Sequence, residues 1–304
     1  MNDVKFSSHW DKKLPFNQAV LFIILSICLI SGLCFAGLIY YRYAQDKQRH
    51  DDSYQIVAVV QTSPDQEGLK TAYLTELLGL SVDRPRNLYD FSTDEATKKL
   101  LQLPVIKELN VRKIRPGTIH VDYTLRKPIA YVSDYTNTVV DAEGIIFPLK
   151  PFYTPKKLPE IHLGETQEFT HPLWGGTLIG AGKELAFEIL SLSSQYCDEY
   201  SSLCRIDVSR AFTSSAGQRE IVLVLEDRFS KVENSQTVLS VHPRILRLHQ
   251  DNYRQQLGNY LGLRSYLREQ EKLLPLTGKG TIRQAKAVII DLRLSELAFF
   301  WSES

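Results

Sequence analysis

The residues of this chain that could do chemistry are few, and their spacing argues against each reaction in turn. Asp141 and Glu143 lie two positions apart and could be the paired carboxylates of general acid–base work. They sit in Asp141-Ala142-Glu143-Gly144, a tight-turn sequence in which Asp141 is better read as a local acceptor for backbone N–H groups. Residues 176–183 look at first like a phosphate loop. The first glycine of G-x4-G-K would fall on Thr177, however, and Glu184 stands where Ser or Thr should hold magnesium. The stretch therefore reads as a loop leading into a helix. The seven histidines, at positions 9, 50, 120, 162, 171, 242 and 249, are scattered. His242 and His249 are too far apart for adjacent helical turns, and all seven read as surface residues. Cys197 and Cys204, seven apart, could form a disulfide in an exported protein or stay as half-buried thiols. CxxC spacing is absent, and no His lies near enough to suggest zinc. A nucleophile elbow, HExxH and Ser-x-x-Lys are absent too. The expectation is a chain without catalytic, metal-binding or cofactor-binding residues, needing no cofactor and acting on no small-molecule substrate.

The elements begin with an uncharged apolar stretch, residues 14–41. Its core, residues 19–41, has the length that about 20 residues of helix need to cross a bilayer. It is too long for the apolar region of a signal peptide, so an uncleaved anchor is expected. Tyr40, Tyr41 and Tyr43 suit an interfacial aromatic belt. Lys5, Lys12 and Lys13 before the span are matched by Arg42, Lys47 and Arg49 after it, so charge does not orient it. Over 304 residues the net charge is only +1, with 36 Lys and Arg against 35 Asp and Glu. Without a basic surplus, nucleic acid is not an expected partner.

Residues 54–61 read as a strand and 68–78 as a helix. Ser92 and Glu95 make a capping box for a second helix that Pro104 ends. Residues 106–114 and 119–126 read as strands around Arg115-Pro116-Gly117-Thr118, which suits a type II turn. Ile119, Val121, Tyr123 and Leu125 alternate with polar residues and should face inward. The order over residues 54–126 is thus β-α-α-β-β. Short strands follow at 129–133, 138–140 and 145–147, a helix at 183–196, and strands at 205–208 and 220–225. Residues 245–274 read as mostly helical, Gly278-Lys279-Gly280 as a flexible break, and residues 287–294 as a final strand.

That final strand has Val288, Ile290, Leu292 and Leu294 in alternation, with apolar Ile289 opposite, and Phe299, Phe300 and Trp301 soon after. Apolar residues on both faces can be buried on both sides inside the protein. Alternatively the strand is an edge that takes a partner strand, with aromatics filling pockets beside it. On the second reading Ile290, Leu292 and Phe299 belong to the docking region.

Taken together, these segments resemble the bacterial cell-division family of FtsQ and DivIB, whose first soluble unit is a POTRA domain. The resemblance is carried by Leu103-Pro104-Val105-Ile106 leading into Val111-Arg112-Lys113-Ile114-Arg115-Pro116-Gly117-Thr118-Ile119-His120-Val121. Arg126-Lys127-Pro128-Ile129-Ala130 is similar to the family's basic-x-Pro-apolar-Ala junction. Val139-Val140-Asp141-Ala142-Glu143-Gly144-Ile145-Ile146-Phe147 is similar to its Asp-x-x-Gly hairpin, and Ile290-Asp291-Leu292-Arg293 to the Asp-Leu-Arg of its last strand. Leu125, Leu294 and Leu297 depart from the family's usual acidic, aromatic and glycine residues.

The resemblance implies an α+β chain with one N-terminal transmembrane helix, a POTRA-like β-α-α-β-β domain and a mixed β-rich domain ending in a helix and an edge strand. The expected parts are a cytoplasmic tail (1–17), the span (18–43), a linker (44–53), the POTRA-like domain (54–126) and the second domain (127–304). It also implies that the large portion lies outside the cytoplasmic membrane, at the division septum. The function implied is a non-enzymatic scaffold whose partners are membrane proteins of FtsB and FtsL type and septal wall-synthesis enzymes. By the resemblance, Leu294, Glu296 and Trp301 fall on the docking surface, and Arg219 matches a basic contact position. Two rival readings share parts of the topology: an anchored, exported wall hydrolase, and a POTRA-bearing outer-membrane assembly or secretion factor. The first needs a catalytic set that is not found; the second usually adds a long barrel for which the chain has no room.

Overall fold

The computed structural model describes residues 16–64, 67–164, 168–169, 174–197, 201–233, 236–271 and 282–302. The N-terminal lysines, His9, His171 and the expected break at 278–280 lie outside these residues.

Helix α1 (Phe16–Arg49) is 34 residues long. Its large apolar side chains, from Val20 to Tyr43, are exposed, so the chain's own fold buries none of them. A helix apolar all round and uncovered by protein is long and apolar enough to span a membrane. The helix continues through residues 44–49, and a 3-10 turn, Asp52–Tyr54, follows it.

The body is α+β, as expected. Strand β1 (Ala58–Thr62), helices α2 (Thr71–Leu77) and α3 (Thr93–Leu101), and strands β2 (Ile106–Ile114) and β3 (Thr118–Leu125) reproduce the β-α-α-β-β order. They form a three-stranded sheet in the order β1-β3-β2. Ile119, Val121, Tyr123 and Leu125 are all buried, as the alternation requires. The backbone N–H of Glu95 donates to Ser92 Oγ (3.2 Å), the N-cap bond of α3. The turn between β2 and β3 differs from the expected type II: the Arg115–Pro116 peptide is cis. Gly117 is required there by close approach, because a Cβ would lie 2.0 Å from the Gln55 carbonyl oxygen.

The rest builds one large sheet and its helical cover. Its strands are β4 (Ala130–Val132), β5 (Thr138–Val140), β6 (Ile146–Pro148), β7 (Glu160–His162), and then β10 (Ser201–Asp207), β11 (Ile221–Glu233), β12 (Gln236–Leu248), β13 (Ile282–Gln284), β14 (Val288–Asp291) and β15 (Phe299–Ser302). Two-residue strands β8 (Glu168–Phe169) and β9 (Leu178–Ile179) pair separately. The large sheet runs β15-β14-β12-β11-β10-β7-β4-β5-β6, with β13 beside β12. Helices α4 (Ala181–Tyr196) and α5 (Tyr253–Glu271) supply Leu185, Ala186, Ile189, Tyr253 and Leu257 to a core shared with Ile206, Leu223, Leu246 and Ile290 of the sheet.

By contact density the chain forms two compact units. One comprises residues up to 61, 71–97 and 111–121; the other comprises 62–70, 98–110 and 122–304.

Three further expectations change. Residues 245–248 are strand, because β12 runs to Leu248 and α5 starts only at Tyr253. His242 is buried, 3% exposed, and packs 5.1 Å from the Phe229 ring, so it is not a surface residue. The segment at 287–294 is not the last strand: β14 ends at Asp291, and β15 follows it.

Candidate functional site

The carboxylate pair is occupied structurally. Asp141 Oδ1 accepts from the backbone N–H groups of Glu143 (3.0 Å) and Ile145 (2.9 Å), as the turn sequence predicts. Its Oδ2 accepts from Arg126 Nη1 at 2.8 Å, and Arg126 Nε donates to the Pro104 carbonyl. Glu143 pairs with Lys107 and Arg126. The hydrogen bond and charge of Lys107 hold the Glu143 carboxyl below the usual range. Both carboxylates are thus engaged by hydrogen bonds and ion pairs within the hairpin and its junction. The basic junction at 126 and the Asp-x-x-Gly hairpin are one clamp.

Cys197 and Cys204 are half-buried thiols with no disulfide between them. Burial, aided by the Glu226 charge, pushes the Cys204 thiol up, the reverse of what a reactive thiolate needs. Among the described residues no group of three or more His, Cys, Asp or Glu is placed to hold a metal ion.

The C-terminal edge of the large sheet leaves large apolar side chains exposed. Strand β14 lies inside it, parallel to β12 on one side and antiparallel to β15 on the other. The pairing register carries rows of side chains across four strands. Leu223, Leu246, Ile290 and Phe300 form one row on the helix-covered face. Val224, Ile245, Ile289 and Trp301 form a row on the opposite face. Each row is apolar to the edge, and its last member is exposed: Phe300 is 44% and Trp301 41% exposed.

Ionic contacts brace the end of β14. Asp291 accepts from Arg293 Nη2 at 2.6 Å and lies 3.5 Å from Arg247 Nη1. Arg247 and Arg293 both also reach Glu220, which is itself buried. Burial pushes the Asp291 carboxyl up, but the Arg293 side chain and backbone N–H and the Arg247 charge outweigh it and hold it below the usual range. The Asp-Leu-Arg segment thus has a physical role: Asp291 and Arg293 close the ion network while Leu292 enters the core.

The expected docking residues fall into three groups. Ile290 and Leu292 are 0% and 3% exposed and belong to the core, and β14 is paired on both sides. Leu294, Glu296, Phe299 and Trp301 are exposed and lie together on the turn after β14 and on β15. Arg219 lies beside Glu220 in sequence, and its Nε donates to the Thr213 carbonyl (2.9 Å). Sequence reasoning missed the Glu220–Arg247–Asp291–Arg293 network. Glu220, Arg247 and the Asp291–Arg293 pair are far apart in the chain, and only the strand pairing unites them.

A comparison with protein-family sequence profiles finds no matching family. Among characterised proteins, the chain is similar to "Cell division protein FtsQ" of Koribacter versatilis (strain Ellin345), at 25% identity over 147 residues. That match covers 48% of this chain and 40% of the relative.

Proposed function

We propose that this chain is a single-pass membrane protein of bacterial cell division and acts as a non-enzymatic scaffold. The observation that carries the reading is the C-terminal sheet edge, a short strand with three aromatics that keep 41–48% of their surface exposed. A strand edge with apolar side chains beside it suits capture of an extended segment: main-chain hydrogen bonds provide affinity and side-chain pockets select. The similarity to a cell-division protein, the apolar N-terminal helix and the β-α-α-β-β order support the same reading.

On this proposal residues 1–17 are cytoplasmic, the span is 18–43, and the bulk lies on the extracytoplasmic side at the septum. A POTRA-like domain (54–126) offers one recruitment surface, and the domain from 127 onward offers its C-terminal edge. The docking residues are Leu294, Glu296, Phe299 and Trp301, with Arg219 as a basic contact and Ile290 and Leu292 in the core beneath. Partners are small single-span division proteins of FtsB and FtsL type and, through them, wall-synthesis enzymes.

The test is affinity recovery of the tagged full chain from detergent-solubilised membranes of its own host, with α1 alone as control. Enrichment of small single-span division proteins over the control is the expected result. A recovered set without division proteins would sink the scaffold reading.

A further inference from the structure

The polar end of α1 is built into the compact unit that follows it. Asn87 Nδ2 donates to the Gln48 carbonyl at 3.1 Å, Arg49 Nε lies 3.6 Å from Asp90, and the Tyr54 and Tyr89 rings meet edge-on at 5.2 Å. The Ile56 N–H donates to the Arg86 carbonyl (2.9 Å) and the Val57 N–H to the Gly117 carbonyl (2.8 Å). Segments 42–57, 80–92 and 111–117 therefore meet at the foot of this unit. Arg49 lies six residues beyond Tyr43, the last of the tyrosines suited to the interface. That is about 9 Å further along the helix. The headgroup layer is about 5–8 Å deep on each side of the hydrocarbon. The foot thus stands at the outer face of the headgroups, within the Debye length of about 8 Å at physiological salt.

The charge at that foot is lopsided. The three segments carry eight Lys and Arg against five Asp and no Glu, in a chain whose net charge is only +1. Three of the cations, Arg49, Arg86 and Lys113, gather about one aspartate, Asp90. Burial and the Arg86 charge push the Lys113 ammonium below its ordinary range; Asp90 pulls it up, and Arg49 pushes it down again. Arg115 lies over the Tyr89 ring, 5.7 Å from its centre. Two of the acids are engaged locally: Asp51 accepts from the Ser53 N–H (2.9 Å) and hydroxyl (2.7 Å), and Asp52 from Gln55 Nε2 (2.7 Å). Arg84, Lys113 and Arg115 are exposed, and Val82, in the same loop as Arg84, is 97% exposed.

We propose that this foot is a lipid-contact surface: Arg84, Lys113 and Arg115, together with Arg49 and Arg86, bind the phosphates of anionic phospholipids, and Val82 enters the interfacial layer beside them. The bilayer is the occupant because α1 delivers it. A surface held within one Debye length of the headgroups meets their phosphates at a far higher local concentration than any free anion. Guanidinium groups suit phosphate as paired donors and an ammonium as a point charge. Basic groups beside an exposed apolar side chain are the combination that holds peripheral segments to anionic interfaces. Each such cation shifts the ratio of docked to undocked molecules about fivefold. The proposal depends on α1 crossing the bilayer, and not on the scaffold role or on which side the unit faces. It gives the first compact unit a second attachment that reads lipid composition: docked on anionic membrane, released from neutral membrane.

The test reconstitutes the full chain in vesicles of phosphatidylcholine alone, or of phosphatidylcholine with phosphatidylglycerol, each doped with a lipid that carries a nitroxide on its headgroup. A fluorophore is attached at Val82→Cys after the four native cysteines are changed to serine. Strong quenching is expected in the phosphatidylglycerol vesicles and weak quenching in the neutral ones, with the difference fading at about 1 M salt, where the Debye length is about 3 Å. Arg84→Gln, Lys113→Gln and Arg115→Gln together should lower the docked-to-undocked ratio about a hundredfold. Arg84→Gln alone, a change on an exposed loop that leaves the packed groups intact, should lower it about fivefold. Equal quenching in the two kinds of vesicle, none in either, or quenching unmoved by both variants would overturn the proposal. A chain that washes off the vesicles in alkaline carbonate would overturn the membrane span with it. A chain that stays in them without quenching overturns the lipid contact alone and leaves the scaffold reading standing.

Discussion

The two ends of the large sheet solve the same problem in opposite ways. At one end β6 has Ile146 and Phe147 fully buried and finishes on Pro148, which has no N–H to offer. Its outer side is already covered: Ile146 N–H donates to the Gly176 carbonyl (3.0 Å) and Gly175 N–H to the Ile146 carbonyl (2.8 Å). At the other end β15 carries Phe299, Phe300 and Trp301 half in water, with no strand beyond it among those described. Strand edges invite pairing and are commonly blunted by proline, charge or a covering loop. Here one edge has the proline and the loop, and the other has aromatics. The contrast separates a covered end from one whose aromatics remain exposed.

The largest effect that would sharpen this contrast is expected at the covered end. Phe147→Ala should cost about 3–5 kcal/mol, the range for a buried aromatic, read as the shift in the urea midpoint. An effect no larger than that at Phe300 would break the comparison. Ile290→Ala, one strand in from the open edge, should cost about 2–5 kcal/mol and lower the thermal midpoint, because β14 is core. Phe300→Ala should cost about 2 kcal/mol or less, since its ring is 44% exposed and has correspondingly less apolar surface to lose.

The smallest effect is electrostatic. The Asp291 carboxyl titrates below its unfolded value of about 3.9. Its contribution is therefore fully present above that pH and is lost as pH falls through the lowered folded value. Asp291→Asn should cost about 1 kcal/mol at neutral pH, a figure reduced for solvent screening. It should also flatten the fall in thermal midpoint between about pH 5 and pH 3. An unchanged acid limb would remove Asp291 from the network.

How much of this was legible depends on whether a side chain's surroundings are local. The β2–β3 hairpin was readable because Ile119, Val121, Tyr123 and Leu125 alternate with polar residues, and the buried face is apolar throughout. Strand β12 was not. Its buried face includes Ser240, His242 and Arg244, while Leu239, Val241 and Ile245 lie on the other face, so the alternation points the wrong way. Arg244 is tolerated at 0% exposure because Asp227, on the neighbouring strand, meets it at 2.6 Å, with Arg264 of α5 at 3.3 Å from the same carboxylate. A buried charge needs such a partner, and the partner is 17 residues away in sequence.

The candidate site was half legible for the same reason. Leu294, Glu296, Phe299 and Trp301 stand out as apolar or charged residues near the chain's last strand, and they are exposed together. The reversal that separates β14 from β15 has neither glycine nor proline, so no turn signal marks it, and one strand was expected where there are two. Ile290 and Leu292 consequently belong beneath the surface rather than on it.

Helix α1 has a mechanical consequence. It does not stop where its apolar stretch stops; its 34 residues span about 51 Å at 1.5 Å each, against about 30 Å of hydrocarbon. Its polar end is gripped by its own compact unit: Asn87 Nδ2 donates to the carbonyls of Gln48 (3.1 Å) and Asp51 (3.3 Å), and Arg49 lies 3.6 Å from Asp90. Such a helix is a mast, not a tether. Tilting or rotating it within the lipid would swing the unit fixed to its top, so that the direction in which that unit faces is steered from the membrane.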